Sequence, residues 1–329
     1  MRTFMKGLAG LALSTLMMTP LAMAPAANAQ EAVDSGLTMY FQMGGNPGDT
    51  ASLARELGAR EAARVLKVNL IEQHSGWDPQ KMLVQASEAL AASPDAIAIM
   101  GHPGVAAMTP FLNKAKEAGI IVVLTDTNLP GTGLNYFGAD SYGAGRNLAD
   151  LAIQNGKLAT GDKVLVYGAF IEGAAGAITA KGTVDMLKEK GLGVDTLQWS
   201  QEAVLDPSLS VPVLVAYLES NPDTKAILVP GHGGVTAVLA KVLKDAGKKP
   251  GEITAAGFDI SVASIQGVKD GYITAVLDQQ PYLQGFYGVL SAVLQKKYGL
   301  GNTQMFTSSG AMTQENVEKL EALVKTGIR

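Results

Sequence analysis

Apolar positions along this chain come in short blocks, and each block gives way to a stretch with helical periodicity. Residues 37–43, LTMYFQM, predict a first strand, and a helix follows over about 50–66. Residues 68–73 predict a second strand. Residues 78–105 read DPQKMLVQASEALAASPDAIAIMGHPGV, which predicts a helix, a turn and a buried strand over 96–100. The Asp-Pro start suits helix entry, because Asp can cap and Pro is tolerated in the first turn. The later Pro-Asp stops the helix and turns the chain extended. A further helix ends over 113–119, and IIVVLT at 120–125 predicts a fourth strand. This alternation calls for a parallel sheet with helices on both faces.

The pattern then repeats. After a Gly/Pro-rich link at 128–136 and a short strand over 137–140, a helix over 141–155 opens a second half. Strands are predicted over 163–167, 196–202, 226–229, 253–258 and 274–277. Helices are predicted over 177–190, 236–246, 261–270, 281–298 and 314–326. Within this half, residues 206–235 (DPSLSVPVLVAYLESNPDTKAILVPGHGGV) echo 78–105. Both copies run Asp-Pro, amphipathic helix, Ser/Asn-Pro-Asp at the same spacing, apolar strand, Gly-His-x-Gly-Val. Two copies this far apart are too few for a solenoid. They fit an α/β fold of two doubly wound parallel-sheet lobes, each lending a loop to a shared cleft.

The 329 residues can bury two medium cores, and 47% hydrophobic with 17% charged residues is ordinary for a soluble globular protein. Residues 1–29 read as a secretory signal: Arg2 and Lys6, an apolar run, then Ala27-Asn28-Ala29 as a small-x-small cleavage site. The expected product is exported, starting at Gln30. The net charge of −4 becomes −6 once Arg2 and Lys6 leave with the leader. That balance, with no basic cluster, argues against nucleic acid. With no cysteine, disulfides, thiolate catalysis, Cys-ligated zinc and a lipid-anchored N-terminus are excluded. The three histidines are far apart and lack i, i+4 pairing, so no metal site and no cofactor is expected.

The order and spacing of several motifs resemble the periplasmic sugar-binding proteins of the ribose-binding type. These motifs are the leader, Asn46-Pro47 after strand one, Thr125-Asp126 at the end of strand four, Lys181-Gly182, Gly257-Phe258-Asp259, and Gln279 before the Pro281 helix. The resemblance covers essentially the whole mature chain. It implies lobes joined by three hinge crossovers, near Ala139, near Gln279–Gln280 and near 308–310. One lobe would be 36–139 plus 280–309, and the other 140–279 plus 310–329. It further implies that Asn46, Asp126, Lys181, His232, Asp259 and Gln279 hydrogen-bond sugar hydroxyls. The chemistry suits this, since Asp accepts, Lys donates, and Asn or Gln does both. His102 and Asp49 join the candidates on loop position alone. By residue type alone, Asp126 and Asp259 would be helix caps, His102 and His232 turn residues, Asn46 a turn former and Lys181 a surface charge.

The chain also departs from that family pattern. Gly48 and Asp49 stand where the ribose type has two aromatic residues, Thr127 where it has Arg, Lys181 where it has Arg, and Leu205 at a further aromatic position. Trp77, Phe41, Tyr40 or Phe170 are candidates for a replacement wall. The resulting expectation is a monomer that binds a monosaccharide or sugar alcohol and delivers it to the membrane subunits of an ABC importer. A chemoreceptor is a further candidate partner. The alternatives are an exported enzyme acting on carbohydrate, and a receptor-type binder of a furanose-like signal molecule. No Gly-x-Ser-x-Gly elbow, HExxH, phosphate loop or dinucleotide loop supports the enzyme.

Overall fold

In a computed structural model, the described residues are 35–174 and 176–329. The expected leader and its cleavage site lie outside them. The first half runs β1 (Thr38–Gly44), α1 (Thr50–Leu66), β2 (Asn69–His74), α2 (Pro79–Ala91), β3 (Ala96–Met100), α3 (Val105–Glu117), β4 (Ile121–Asp126) and β5 (Asn135–Gly138). The second runs α4 (Ser141–Gly156), β6 (Lys163–Gly168), α5 (Ala177–Glu189), β7 (Gly193–Gln198), α6 (Gln201–Leu205), a 3-10 turn (Pro207–Leu209), α7 (Ser210–Ser220), β8 (Thr224–Val229), α8 (Gly233–Asp245), β9 (Thr254–Phe258), α9 (Val262–Lys269) and β10 (Ala275–Asp278). Helix α10 (Pro281–Tyr298), β11 (Gln304–Phe306), β12 (Gly310–Met312) and α11 (Val317–Val324) complete the chain.

Among the described residues there are two six-stranded sheets, ordered β11-β5-β4-β3-β1-β2 and β12-β10-β9-β8-β6-β7. Every pairing is parallel except β10 with β12. The chain passes between sheets three times: after β5, between β10 and α10, and between β11 and β12. Helices cover both faces of each sheet, so β3 (AIAIM) is buried along its whole length. Phe41, Val123 and Val289 anchor one core of the first lobe, and Ile97, Leu124 and Tyr136 the other. In the second lobe Leu165, Leu214 and Leu239 share one core, and Val166, Leu228 and Phe258 another. Both sheets reverse strand order beside their first strand. Open α/β sheets bind ligands at that point, beyond the carboxyl ends of the strands.

Glycines set two close helix crossings. A Cβ on Gly58 of α1 would lie 2.0 Å from the Tyr282 carbonyl oxygen of α10, and one on Gly285 of α10 would lie 2.1 Å from that of Arg55. In the second lobe, a Cβ on Gly182 would lie 2.2 Å from the Tyr142 carbonyl oxygen. Lys181-Gly182 is therefore a packing position for α4 against α5 as well as a motif.

Several expected bounds move. The short strand expected over 137–140 is β5, ending at Gly138, because Asp140 already stands at the N-cap position of α4. The strand expected over 196–202 is β7, over 193–198. Ser200 accepts a hydrogen bond from the Ala203 N–H and starts α6 there. The two repeat copies also differ. Asp78 caps α2 directly, whereas Asp206-Pro207 makes only a 3-10 turn and α7 starts at Ser210, with Pro212 in its first turn. Strands β11 (QMF) and β12 (GAM) are three residues each, too short to read from pattern. No helix among the described residues is long and apolar enough to cross a membrane.

Candidate functional site

The carboxyl ends of β4 and β9 carry Asp126 and Asp259, at matching places as the fourth strand of each lobe. Both adopt left-handed backbone, at φ 63° and 66°. Asp is among the few side chains that tolerate this conformation, and holding it costs about 1–3 kcal/mol, so surrounding structure must fix it. At Asp259 that support includes Gly233, where a Cβ would come within 2.6 Å of the Asp259 Cβ. At Asp126 it includes Tyr136, whose hydroxyl lies 2.7 Å from the Asp126 carbonyl oxygen and 2.8 Å from that of Ala139.

Asp126 is paired. Its Oδ1 accepts from Arg55 Nη2 at 2.7 Å, and its Oδ2 lies 3.6 Å from His102 Nε2 and accepts from the Thr127 hydroxyl at 3.2 Å. Arg55, on α1, is completely buried. It also donates to the Met43 carbonyl at 2.8 Å and to Gln284 Oε1 at 2.8 Å. Its guanidinium carbon sits 5.8 Å from the centre of the Trp77 ring. Thus the position after Asp126 holds Thr127, and the guanidinium arrives from another element. Burial pulls the pKa of Arg55 down, and Asp126 and then Asp259 oppose that.

Among the described residues, no cation pairs with Asp259. Gln279 Nε2 donates to its Oδ1 at 2.7 Å. Burial pushes its pKa up to about 6; Asp126 and Asp278 add to the rise, while the Gln279 bond and Arg55 oppose it. Asp278, itself buried, is paired with Arg329 and accepts from the Gln280 N–H at 2.8 Å.

Of the four aromatic residues expected as a wall, Trp77 is the one at this group. Its ring centre is 5.8 Å from that of His102, and its backbone is left-handed at φ 63°. The indole lies on Gly44 and Gly45, where a Cβ would come within 2.5 and 2.6 Å of it. Phe41 is sealed in the core, Tyr40 packs against a core, and Phe170 lies on an exposed loop. Asn46 and Asp49 are exposed in the turn after β1. There Asp49 Oδ2 accepts from the Asn46 N–H at 2.7 Å, so Asp49 shapes the turn that presents Asn46. Burial lowers the pKa of His102, and its Nδ1 is buried without a hydrogen-bond partner.

Two expected site residues face elsewhere. Lys181 is 67% exposed, pairs with Asp185 and lies 5.5 Å from the centre of the Tyr142 ring. Its ammonium is held by an i, i+4 carboxylate on its own helix. His232 is the N-cap of α8: its Nδ1 accepts from the Val235 N–H at 3.3 Å. Its Nε2 must then carry the proton, and it donates to the Val204 carbonyl at 3.1 Å. Both ring nitrogens are engaged within the second lobe, so the structure does not bring His232 into the group around Asp126 and Asp259. His232→Asn should keep the cap, cost about 1 kcal/mol for the lost Val204 bond, and leave sugar affinity within twofold by calorimetry.

One further cluster carries metal-ligand types. Glu56, Glu72 and His74 bring ligand atoms within 4.8 Å of one another. The Arg60 guanidinium already bridges the two carboxylates, at 3.1 Å to Glu56 and 2.6 Å to Glu72. A cation there would have to displace it.

A ribose import binding protein from Haemophilus influenzae is 26% identical over 240 residues, 71% of this chain and 77% of that protein. A xylose/arabinose-binding protein from Sulfolobus acidocaldarius is 35% identical over 112 residues, 31% of this chain and only 27% of that protein. The crystal structure of a carbohydrate transporter from Acidothermus cellulolyticus, in complex with myo-inositol, superposes with a TM-score of 0.72 at 23% identity. It covers 89% of this chain and 99% of that one, and establishes the shared fold. The model of the periplasmic binding protein domain matches residues 28–299. This chain belongs to the periplasmic binding protein domain family.

Proposed function

We propose that this protein captures a monosaccharide or sugar alcohol between its lobes and delivers it to the membrane subunits of an ABC importer. One observation supports the reading: Asp126 and Asp259 sit at equivalent strand tips of the two lobes, in matching left-handed backbone, and are linked through Arg55, Gln284 and Gln279. Polar groups that accept and donate converge there beside one aromatic face, as a polyhydroxylated ring requires. The relatives' names point the same way, to ribose and to xylose or arabinose. Asp126, Asp259, Gln279, His102 and Asn46 are the proposed contacts, with Trp77 as the wall. Lys181 would join them only by leaving Asp185.

Capture works by hinge closure about the three crossovers. A ligand that touches both lobes only when they are closed shifts the population toward that state. The hinged units in this proposal are 36–139 with 280–309, and 140–279 with 310–329. Cleavage after Ala29, release into the periplasm, action as a monomer and engagement of a chemoreceptor belong to the same proposal. A thermal-shift panel of pentoses, hexoses, deoxysugars and inositols tests it. A ligand at 100 times its Kd should add about 2.7 kcal/mol of stability. If no member of the panel raises the Tm, the ligand class is wrong.

A further inference from the structure

We infer that Arg55 is the positioning residue of this cleft: one guanidinium sets the Asp126 carboxylate and, through Gln284, ties it to two of the three crossovers. Ligand capture at Asp126 and movement of the hinge would then be one event. The inference rests on reading the cleft as the ligand site.

The connections are continuous. Four N–H groups of Arg55 are engaged: Nη1 to the Met43 carbonyl at 2.8 Å, Nη2 to Asp126 at 2.7 Å, and Nη2 and Nε to Gln284 Oε1 at 2.8 and 3.3 Å. The other end of the Gln284 amide donates to the Gln279 carbonyl and to the Thr307 hydroxyl, each at 3.3 Å. Gln279 and Thr307 lie on the second and third crossovers, and Gln280 Nε2 joins those two strands by donating to the Thr307 carbonyl at 2.8 Å. The first crossover reaches Asp126 separately, through Tyr136 and Ala139. All three hinge segments are therefore tied to Asp126, two to its carboxylate through Gln284 and Arg55 and one to its backbone carbonyl through Tyr136.

The packing makes this linkage stiff. Gly58 and Gly285 let α1 and α10 approach until their backbones nearly touch, at the level of Arg55 itself. Helix α10 starts at Pro281, directly after the left-handed Gln280 at φ 50°. A shift of the guanidinium therefore reaches the start of α10 and the crossover before it. A planar fork that binds a carboxylate and an amide oxygen at once also fixes direction, which the point charge of a lysine cannot do. Arg55 further supplies the cation that opposes the upward shift of Asp259, against burial, Asp126 and Asp278.

Three variants separate these roles: Arg55→Lys, Arg55→Met and Gln284→Met. Calorimetry from pH 5 to 8 would use the best-bound member of a panel of pentoses, hexoses and myo-inositol. Arg55→Lys and Gln284→Met should each weaken binding about tenfold, the worth of one charge-assisted hydrogen bond, with the acid midpoint of binding unchanged. Arg55→Met should weaken it as much and raise that midpoint, because the opposing cation is gone. A residue that only held the fold together would lower Tm without moving the midpoint. A ligand-free arm follows hydrogen exchange at the Gln280 and Thr307 amides. It should quicken by about tenfold in every variant, with β2 unchanged. Folded variants that keep wild-type affinity, midpoint and exchange overturn the role of Arg55. If Arg55→Met does not fold, the other two variants decide. Wild-type protein that binds nothing in the panel counts against the sugar reading, and the exchange arm alone then judges Arg55.

Discussion

Asp126→Ala should abolish sugar binding and also cost about 3–5 kcal/mol of stability, the usual penalty for stripping one partner from a buried ion pair. Arg55 has no exposed surface, so its charge cannot turn to water when the carboxylate goes. Its remaining partners, Met43 and Gln284, are neutral acceptors. They satisfy N–H groups but not the charge. The double variant Asp126→Ala/Arg55→Met removes the stranded cation and should recover much of the loss while still failing to bind. Urea unfolding of the single and double variants, with calorimetry on each, checks both halves. A single variant within 1 kcal/mol of wild type would show that the pair does not bear on folding, and retained affinity would remove Asp126 from the site.

Local patterning made the architecture readable. Apolar blocks of five or six residues ending in Asp or Gly announced parallel strands and their tips, and the site loops follow directly from those tips. What pattern could not convey was which side chains turn toward one another. Arg55 shows the limit. On α1 it stands three residues after Ser52 and four before Ala59, both buried, so a charge interrupts a stripe of small buried residues. That interruption was a usable signal. Its partners are 71 and 229 positions away, and helical periodicity holds no information at that range.

The two histidines make the complementary point. Gly-His-x-Gly-Val occurs in both lobes, yet the helices start at different places within it. In the first lobe Gly104, at φ 84°, caps α3, and the chain has passed His102 before the helix begins, which frees the ring to face Asp126 and Trp77. In the second lobe α8 starts at Gly233, so the preceding His232 becomes the cap and its ring folds back. A one-residue change, Pro103 for Gly233, accompanies opposite orientations of the same side chain. Likewise the left-handed backbone of Asp126, Asp259 and Trp77 is set by neighbours distant in sequence, and residue type alone made the two aspartates look like ordinary caps.

Asp259→Asn should do the reverse of Asp126→Ala: weaken binding strongly while making the ligand-free protein more stable at neutral pH. Asp259 is half-buried near two other carboxylates and is met by an amide, not a cation, so its ionised form is disfavoured and its pKa rises to about 6. The unfolded reference is 3.8. Between those values the folded state holds more proton than the unfolded one. This group's contribution is therefore fully present below the unfolded pKa and is lost as pH rises through about 6. Ligand-free wild type should gain on the order of 2–3 kcal/mol between pH 7.5 and pH 4 relative to Asp259→Asn. The neutral amide keeps an oxygen for Gln279, so the comparison isolates the charge. Sugar affinity should run the other way, because hydroxyls donate to the ionised carboxylate and lose it on acidification. At neutral pH the variant should bind roughly 10- to 100-fold more weakly, the range for hydrogen bonds to a charged group. Parallel stability profiles for the two proteins would show that Asp259 is not held away from its ordinary range. Equal affinities at pH 7.5 would show that no sugar hydroxyl depends on its charge.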